Sequence, residues 1–238
     1  MLGIEFTFIP QEIHLGQQLY IDQIFERFGM SNCKSVSTPI DHASKLESAS
    51  KGTPPFEQNL YQQMIGALLY LVNCTRPDLA FVISFLSQFS SCPLESHHTA
   101  VKCVFHYLSG TKSFTLKYSR LLDAYASPFS LHGYSDANFT NCLDTHRSFS
   151  SYCFMLGDAV ISWRTQKQQS VAVSTIEAKY MALSVTSRQA VWYEHTLNQI
   201  GHSTDINLYC DNQSGINIAE NPVHHQRTKH IDVYYHFI

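Results

Sequence analysis

The chain has 238 residues, 44 % of them hydrophobic, enough for one large or two small domains that each bury a core. Sixteen Lys and Arg against nineteen Asp and Glu give a formal net charge of −3, which excludes a uniformly basic surface, so any phosphate contact must come from segregated cations. Seven cysteines, an odd number with no Cys-x-x-Cys pair, argue against a disulfide framework and for a reducing compartment.

In chain order, Met1-Leu2-Gly3-Ile4-Glu5 has no basic region and meets an acid early, so it does not read as a signal peptide. Alternation from Gly3 to Leu15 around Pro10 predicts a hairpin. Tyr20, Ile21, Ile24, Phe25 and Phe28 form one stripe of a helix that Gly29 stops. The Ser-, Thr-, Pro- and Lys-rich stretch from Ser31 to Phe56 predicts a mobile connector. Three packed helices then follow, over Tyr61 to Val72, from after Arg76-Pro77-Asp78 through Phe89, and over Glu95 to Leu108. The apolar run Met64 to Val72 is far shorter than the roughly 20 residues that cross a bilayer, so no membrane partner is expected.

Residues 119–129 read as a linker. Strand patterns occupy Ser130 to Asn138, Ser151 to Met155 and Ala159 to Arg164, with Gly157-Asp158 as the turn between the last two. A long helix runs from Ser174 to about Ile200, a strand from Ile206 to Cys210 with the crossover of a parallel partner, and a short helix from Ser214 to Glu220. Three acids stand at the ends of these elements: Asp136 on the first strand, Glu177 at the start of the long helix, and Asp211 after the last strand. Each also has an ordinary structural role open to it. Ser174-Thr175-Ile176-Glu177 fits a capping box, Asp211 and Asn212 sit where a helix cap is wanted, and Asp136 fits a turn. Cys92, His97, His98, Cys103 and His106 cluster around one predicted helix, but their spacing does not suit a tetrahedral zinc site. Trp163, Trp192 and Tyr193 read as core aromatics.

Several strings together resemble the Pol polyprotein of copia-type LTR retrotransposons across nearly the whole chain. The first half carries Leu2-Gly3-Ile4-Glu5-Phe6, Val36-Ser37-Thr38-Pro39, Cys74-Thr75-Arg76-Pro77-Asp78-Leu79-Ala80 and Tyr107-Leu108-Ser109-Gly110-Thr111. These are similar to the segment that follows the reverse transcriptase palm. The second half carries Ile161-Ser162-Trp163-Arg164-Thr165-Gln166-Lys167-Gln168, the Glu177 helix, Tyr209-Cys210-Asp211-Asn212-Gln213-Ser214 and Arg227-Thr228-Lys229-His230-Ile231-Asp232, similar to the ribonuclease H (RNase H) domain.

The resemblance implies an α/β fold: an incomplete RNase H-like mixed sheet with helices over 130–238, preceded by a small, mainly helical thumb- or connection-like region of reverse transcriptase over 1–118. It implies that Asp136, Glu177 and Asp211 are catalytic and ligate Mg2+ or Mn2+, and that two such ions hydrolyse the RNA strand of an RNA–DNA hybrid. Arg164, Lys167, Asn212, Arg227 and Lys229 are the implied nucleic-acid-binding residues, and the remainder of the polyprotein is the implied partner. An intracellular setting follows, in a cytoplasmic virus-like particle or the nucleus. No Asp-Asp pair occurs in the chain, so the polymerase active site is not expected here. The chain reads as truncated at both ends, without the last strand and the helix that carries the family's fourth acid, so hydrolysis is expected to be slow or absent. A catalytically inactive remnant that at most binds nucleic acid is the alternative. Two departures from the family pattern carry expectations of their own. Ser151 stands where a glycine is usual and is expected to distort the first hairpin. Lys179, in Glu177-Ala178-Lys179-Tyr180, is expected to point apart from Glu177 on the helix and do little harm.

Overall fold

The computed structural model describes residues 3–41, 46–49, 53–119, 130–139, 142, 144–202 and 205–220. Two compact units result, Met1–Ser119 and Arg120–Ile238.

In the first unit, β1 (Glu5–Ile9) and β2 (Glu12–Gly16) form the expected hairpin, with Gln11 at φ 70° in the turn. A third strand, β3 (Leu116–Ser119), adds antiparallel to β2. Its four residues are too few to show a period, so the sequence hides it. The helices are α1 (Gln18–Arg27), α2 (Gln58–Cys74), α3 (Ala80–Ser87) after a 3-10 turn at Pro77–Leu79, and α4 (Glu95–Gly110). Ile21, Ile24 and Phe25 of α1 are buried, as are Leu68, Leu71, Val101 and Phe105 of α2 and α4.

The predicted mobile connector is not free over its first part. Val36 N–H donates to His106 O at 3.3 Å, His106 Nδ1 donates to Lys34 O at 2.6 Å, and Ser109 Oγ donates to Cys33 O at 3.2 Å. This segment lacks a hydrophobic period because it takes its order from α4 rather than from its own helix or strand.

Arg76 links two of the sequence strings. It is 1 % exposed, and its Nε and Nη2 grip Asp78 Oδ1 and Oδ2 at 3.0 and 2.7 Å. Nη1 and Nη2 also reach the Thr111 carbonyl and hydroxyl at 3.1 and 2.8 Å, while Tyr107 donates to Asp78 Oδ2 at 3.0 Å. A buried guanidinium is tolerated only when its donors are satisfied, and these partners supply that. The same logic accounts for His97 of α4, which accepts from Leu94 N–H at 2.9 Å and donates to Glu47 O at 3.0 Å.

In the second unit, β4 (Leu131–Asn138), β5 (Phe149–Leu156), β6 (Ala159–Lys167) and β7 (Ile206–Cys210) lie in the order β6-β5-β4-β7. β5 pairs antiparallel with both β4 and β6, and β7 runs parallel to β4. Between β6 and β7 the 25-residue α5 (Thr175–Gln199) crosses the sheet, and α6 (Gln213–Glu220) follows β7. One core cluster joins Leu131, Phe154 and Ala190, and another joins Ala137, Ala178, Tyr180 and Met181.

Gly133 lies where the sheet is tightest. A Cβ there would stand 2.5 Å from Leu208 Cδ2 and 2.6 Å from Phe154 Cε1, the side chains of its two cross-strand partners.

Two expectations are corrected. The hairpin is undistorted at Ser151, because β4 and β5 pair without a break from Leu131↔Leu156 to Asn138↔Phe149; the irregularity lies between β5 and β6 at Phe154/Met155. An extended serine fits an uninterrupted ladder, so no glycine is needed there. Trp192 is not a core residue: it is 56 % exposed on α5, while Tyr193 packs on the Phe154 cluster. Adjacent positions on a helix face different ways, so both aromatics could not be buried by one sheet.

Candidate functional site

The parallel pairing of β4 and β7 ends at Ser135↔Cys210, so Asp136, near the end of β4, and Asp211, just after β7, follow it side by side. Ser135 and Ala137 are buried, whereas the Asp136 side chain is 68 % and that of Asp211 67 % exposed. Asp136 Oδ1 accepts from its neighbour Ala137 N–H at 2.8 Å.

Glu177 lies in the first turn of α5 and is buried. Its Oε2 accepts from Val173 N–H at 2.8 Å, and its own N–H donates to the N-cap Ser174 Oγ at 3.2 Å. Ser174 thus caps α5 as its half of the anticipated capping box, while the Glu177 carboxylate satisfies the amide one residue before the N-cap and meets the positive end of the helix dipole.

Lys179 departs from expectation. Its Nζ donates to both carboxylate oxygens of Asp211 and lies 3.4 Å from Asp136 Oδ1, with its side chain 18 % exposed. The hydrogen bond to Asp211 pushes the ammonium pKa up, reinforced by the charges of both aspartates against the opposing effect of burial. Two positions along a helix do separate Lys179 from Glu177. That expectation weighed Glu177 alone; the acids that Lys179 meets are on β4 and just after β7, not on its own helix.

The magnesium that the resemblance implies can be tested against this donor set. The ammonium already bridges Asp136 and Asp211, and Glu177 is turned to Val173. Among the described residues no group of three or more His, Cys, Asp or Glu is arranged to hold a metal ion. The side chains as folded do not fit a divalent cation, and no hydrolytic step is assigned to them.

A second feature is a groove of about 390 Å³ between α5 and the β5/β6 strands. Arg164, Lys167 and Arg188 line it with Gln166, Gln189 and Trp192, and no acid contributes among the described residues. At its base the buried Gln168 donates to Ser150 Oγ and Ala178 O, both at 2.9 Å, and its Oε1 has no hydrogen-bond partner among the described residues. Lys167 Nζ also donates to Cys142 Sγ at 2.9 Å. Burial raises the Cys142 thiol pKa, but Lys167 and Thr145 outweigh it and hold the thiol below its ordinary value.

Across 96 % of its length the chain is 37 % identical to the retrovirus-related Pol polyprotein from transposon TNT 1-94 of Nicotiana tabacum. Over its whole length it is 36 % identical to the corresponding polyprotein from transposon RE1 of Arabidopsis thaliana. The chain is homologous to a segment of retrovirus-related Pol polyproteins of plant transposons. This Pol segment spans 17 % and 16 % of the length of those two relatives. It is also 42 % identical over 132 residues, 56 % of its length, to a protein named secreted RxLR effector protein 161 of Plasmopara viticola, 89 % of which is covered. No family model and no solved structure matches it.

The remaining residues expected to bind nucleic acid are distributed unevenly in the Pol segment. Arg164 and Lys167 share the groove. Asn212 instead caps α6, its Oδ1 accepting from Gly215 N–H at 2.8 Å. Arg227 and Lys229 lie outside the described residues. Sequence reading missed Gln189 and Trp192 as groove residues. Their spacing with Arg188 on α5 was the available signal, but it becomes a surface only once β6 is placed beside the helix. No described helix of the segment is long and apolar enough to cross a membrane.

Proposed function

We propose that the second unit is an RNase H-like domain of a copia-type Pol polyprotein, and that it engages RNA–DNA hybrid along the groove between α5 and β6. The first unit is read as the thumb- or connection-like part of reverse transcriptase. The observation that carries the proposal is topological: an antiparallel three-stranded meander, a crossover helix and a parallel fourth strand bring Asp136 and Asp211 to adjacent strand ends beside the helix that opens with Glu177.

In a nuclease of this type Asp136, Glu177 and Asp211 would be the residues to hold magnesium, which would supply the hydrolytic chemistry, but as folded Lys179 bridges the two aspartates instead. Here Arg164, Lys167 and Arg188 would meet backbone phosphates, while the glutamine amides offer donors and acceptors to sugar hydroxyls. Such contacts read the shape of the hybrid and little of its sequence. The second reading, a binding module without cleavage, is favoured by Lys179 standing between the aspartates.

The test is a labelled RNA–DNA hybrid incubated with the folded chain in Mg2+ and in Mn2+, beside the Asp136→Asn/Glu177→Gln double variant, with binding measured in parallel. Salt-dependent binding without cleavage is expected. Cleavage abolished by the double variant would establish the nuclease instead, and failure to bind hybrid at low salt would remove the proposal.

A further inference from the structure

We propose that Lys179 is the resident counter-ion of the strand-end aspartates and holds divalent metal off them. What this says about magnesium rests on the RNase H-like reading; the ion cluster itself does not.

Two carboxylates at neighbouring strand ends repel each other and call for a cation between them. In this chain the cation is covalently attached. Lys179 follows Glu177 by two residues, so it leaves α5 on a different side, toward the ends of β4 and β7. Its ammonium donates to both oxygens of Asp211 and lies 3.4 Å from Asp136 Oδ1.

The exposures also favour the lysine. Its side chain is 18 % exposed against 68 % and 67 % for the two aspartates, so the stem is packed and the ammonium is held at a defined place. A divalent cation seeking the same oxygens must displace it, and meets one net negative charge where the aspartates alone carry two. Glu177, the third acid, is engaged by Val173 N–H and does not contribute to the cluster. The lysine therefore competes with metal through position, charge and tethering, the last giving it a high effective concentration.

The experiment is a titration with Mn2+ alone, free ion being read by its paramagnetic resonance signal. It uses the native chain, Lys179→Gln and Lys179→Gln/Asp136→Asn, each checked for folding by circular dichroism. Lys179→Gln should bind Mn2+ about tenfold or more tightly than the native chain, a difference of about 1.4 kcal/mol or more, and the added Asp136→Asn should abolish the gain. Native binding as tight as that of a folded Lys179→Gln variant overturns the proposal.

Should Lys179→Gln not fold, acetylation of the native chain decides. Lys179 should react about tenfold more slowly than Lys117, whose side chain is 53 % exposed, and millimolar Mn2+ should leave that protection unchanged. Equal rates, or loss of protection on adding Mn2+, would refute it. Failure of the RNase H-like reading registers separately, as absence of hybrid binding, which none of these readouts measures.

Discussion

At the scale of single residues, the chain places its charges and its glycine where neighbours demand them. Arg76 is enclosed by Asp78 and Thr111, so replacing it removes the partner of a carboxylate and leaves donors and acceptors unmatched. Arg76→Met is expected to destabilise the first unit by about 3 kcal/mol in urea unfolding, and a loss under about 1 kcal/mol would contradict its structural role. Gly133→Ala introduces a Cβ into the contact between Leu208 and Phe154, and should lower the stability of the second unit by about 1–3 kcal/mol. His98 of α4 stacks on Phe56, with ring centroids 3.9 Å apart, and burial lowers its pKa; the Glu95 carboxylate opposes this shift, while Lys102 assists it. The unfolded state therefore takes up the proton more readily, so this contribution to stability is present above about pH 6.5 and is lost as pH falls through the lower folded value. Thermal melts of the native chain should drop faster below that pH than those of His98→Gln.

At the scale of elements, α5 carries most of the functional argument, and its start is set by Ser174 and Glu177 acting as a pair. Ser174→Ala removes the oxygen that accepts from Glu177 N–H and should cost about 1 kcal/mol in the melting of the second unit. An unchanged melt would mean that the sheet alone sets the helix boundary. The hairpin, the helix stripes and the strand-helix-strand succession were legible in the sequence because each is written in a local period. β3 was not, since its pairing with β2 depends on residues a hundred positions away rather than on its own four. The site was legible in the same uneven manner. Positions 136, 177 and 211 and the cap at Asn212 could be marked from their strings, whereas the reach of Lys179 across to two strands and the exposure of Trp192 depend on how α5 lies on the sheet.

At the scale of the whole molecule, a net charge of −3 does not bar a basic surface, because Arg164, Lys167 and Arg188 are gathered in one groove that no acid lines among the described residues. Composition hid this, since a sum over the chain does not register where charges stand. The kinship with Pol polyproteins and the groove lead to one expectation: this segment binds RNA–DNA hybrid. The measurement that tests it most directly is fluorescence anisotropy of a labelled hybrid across a salt series, with the native chain and Arg164→Gln/Arg188→Gln. Tighter binding to hybrid than to DNA duplex of the same sequence is predicted, with the double variant weakened about tenfold or more and its salt slope reduced by about 2. Absence of binding by the folded native chain, or binding that the double variant leaves intact, would contradict the account.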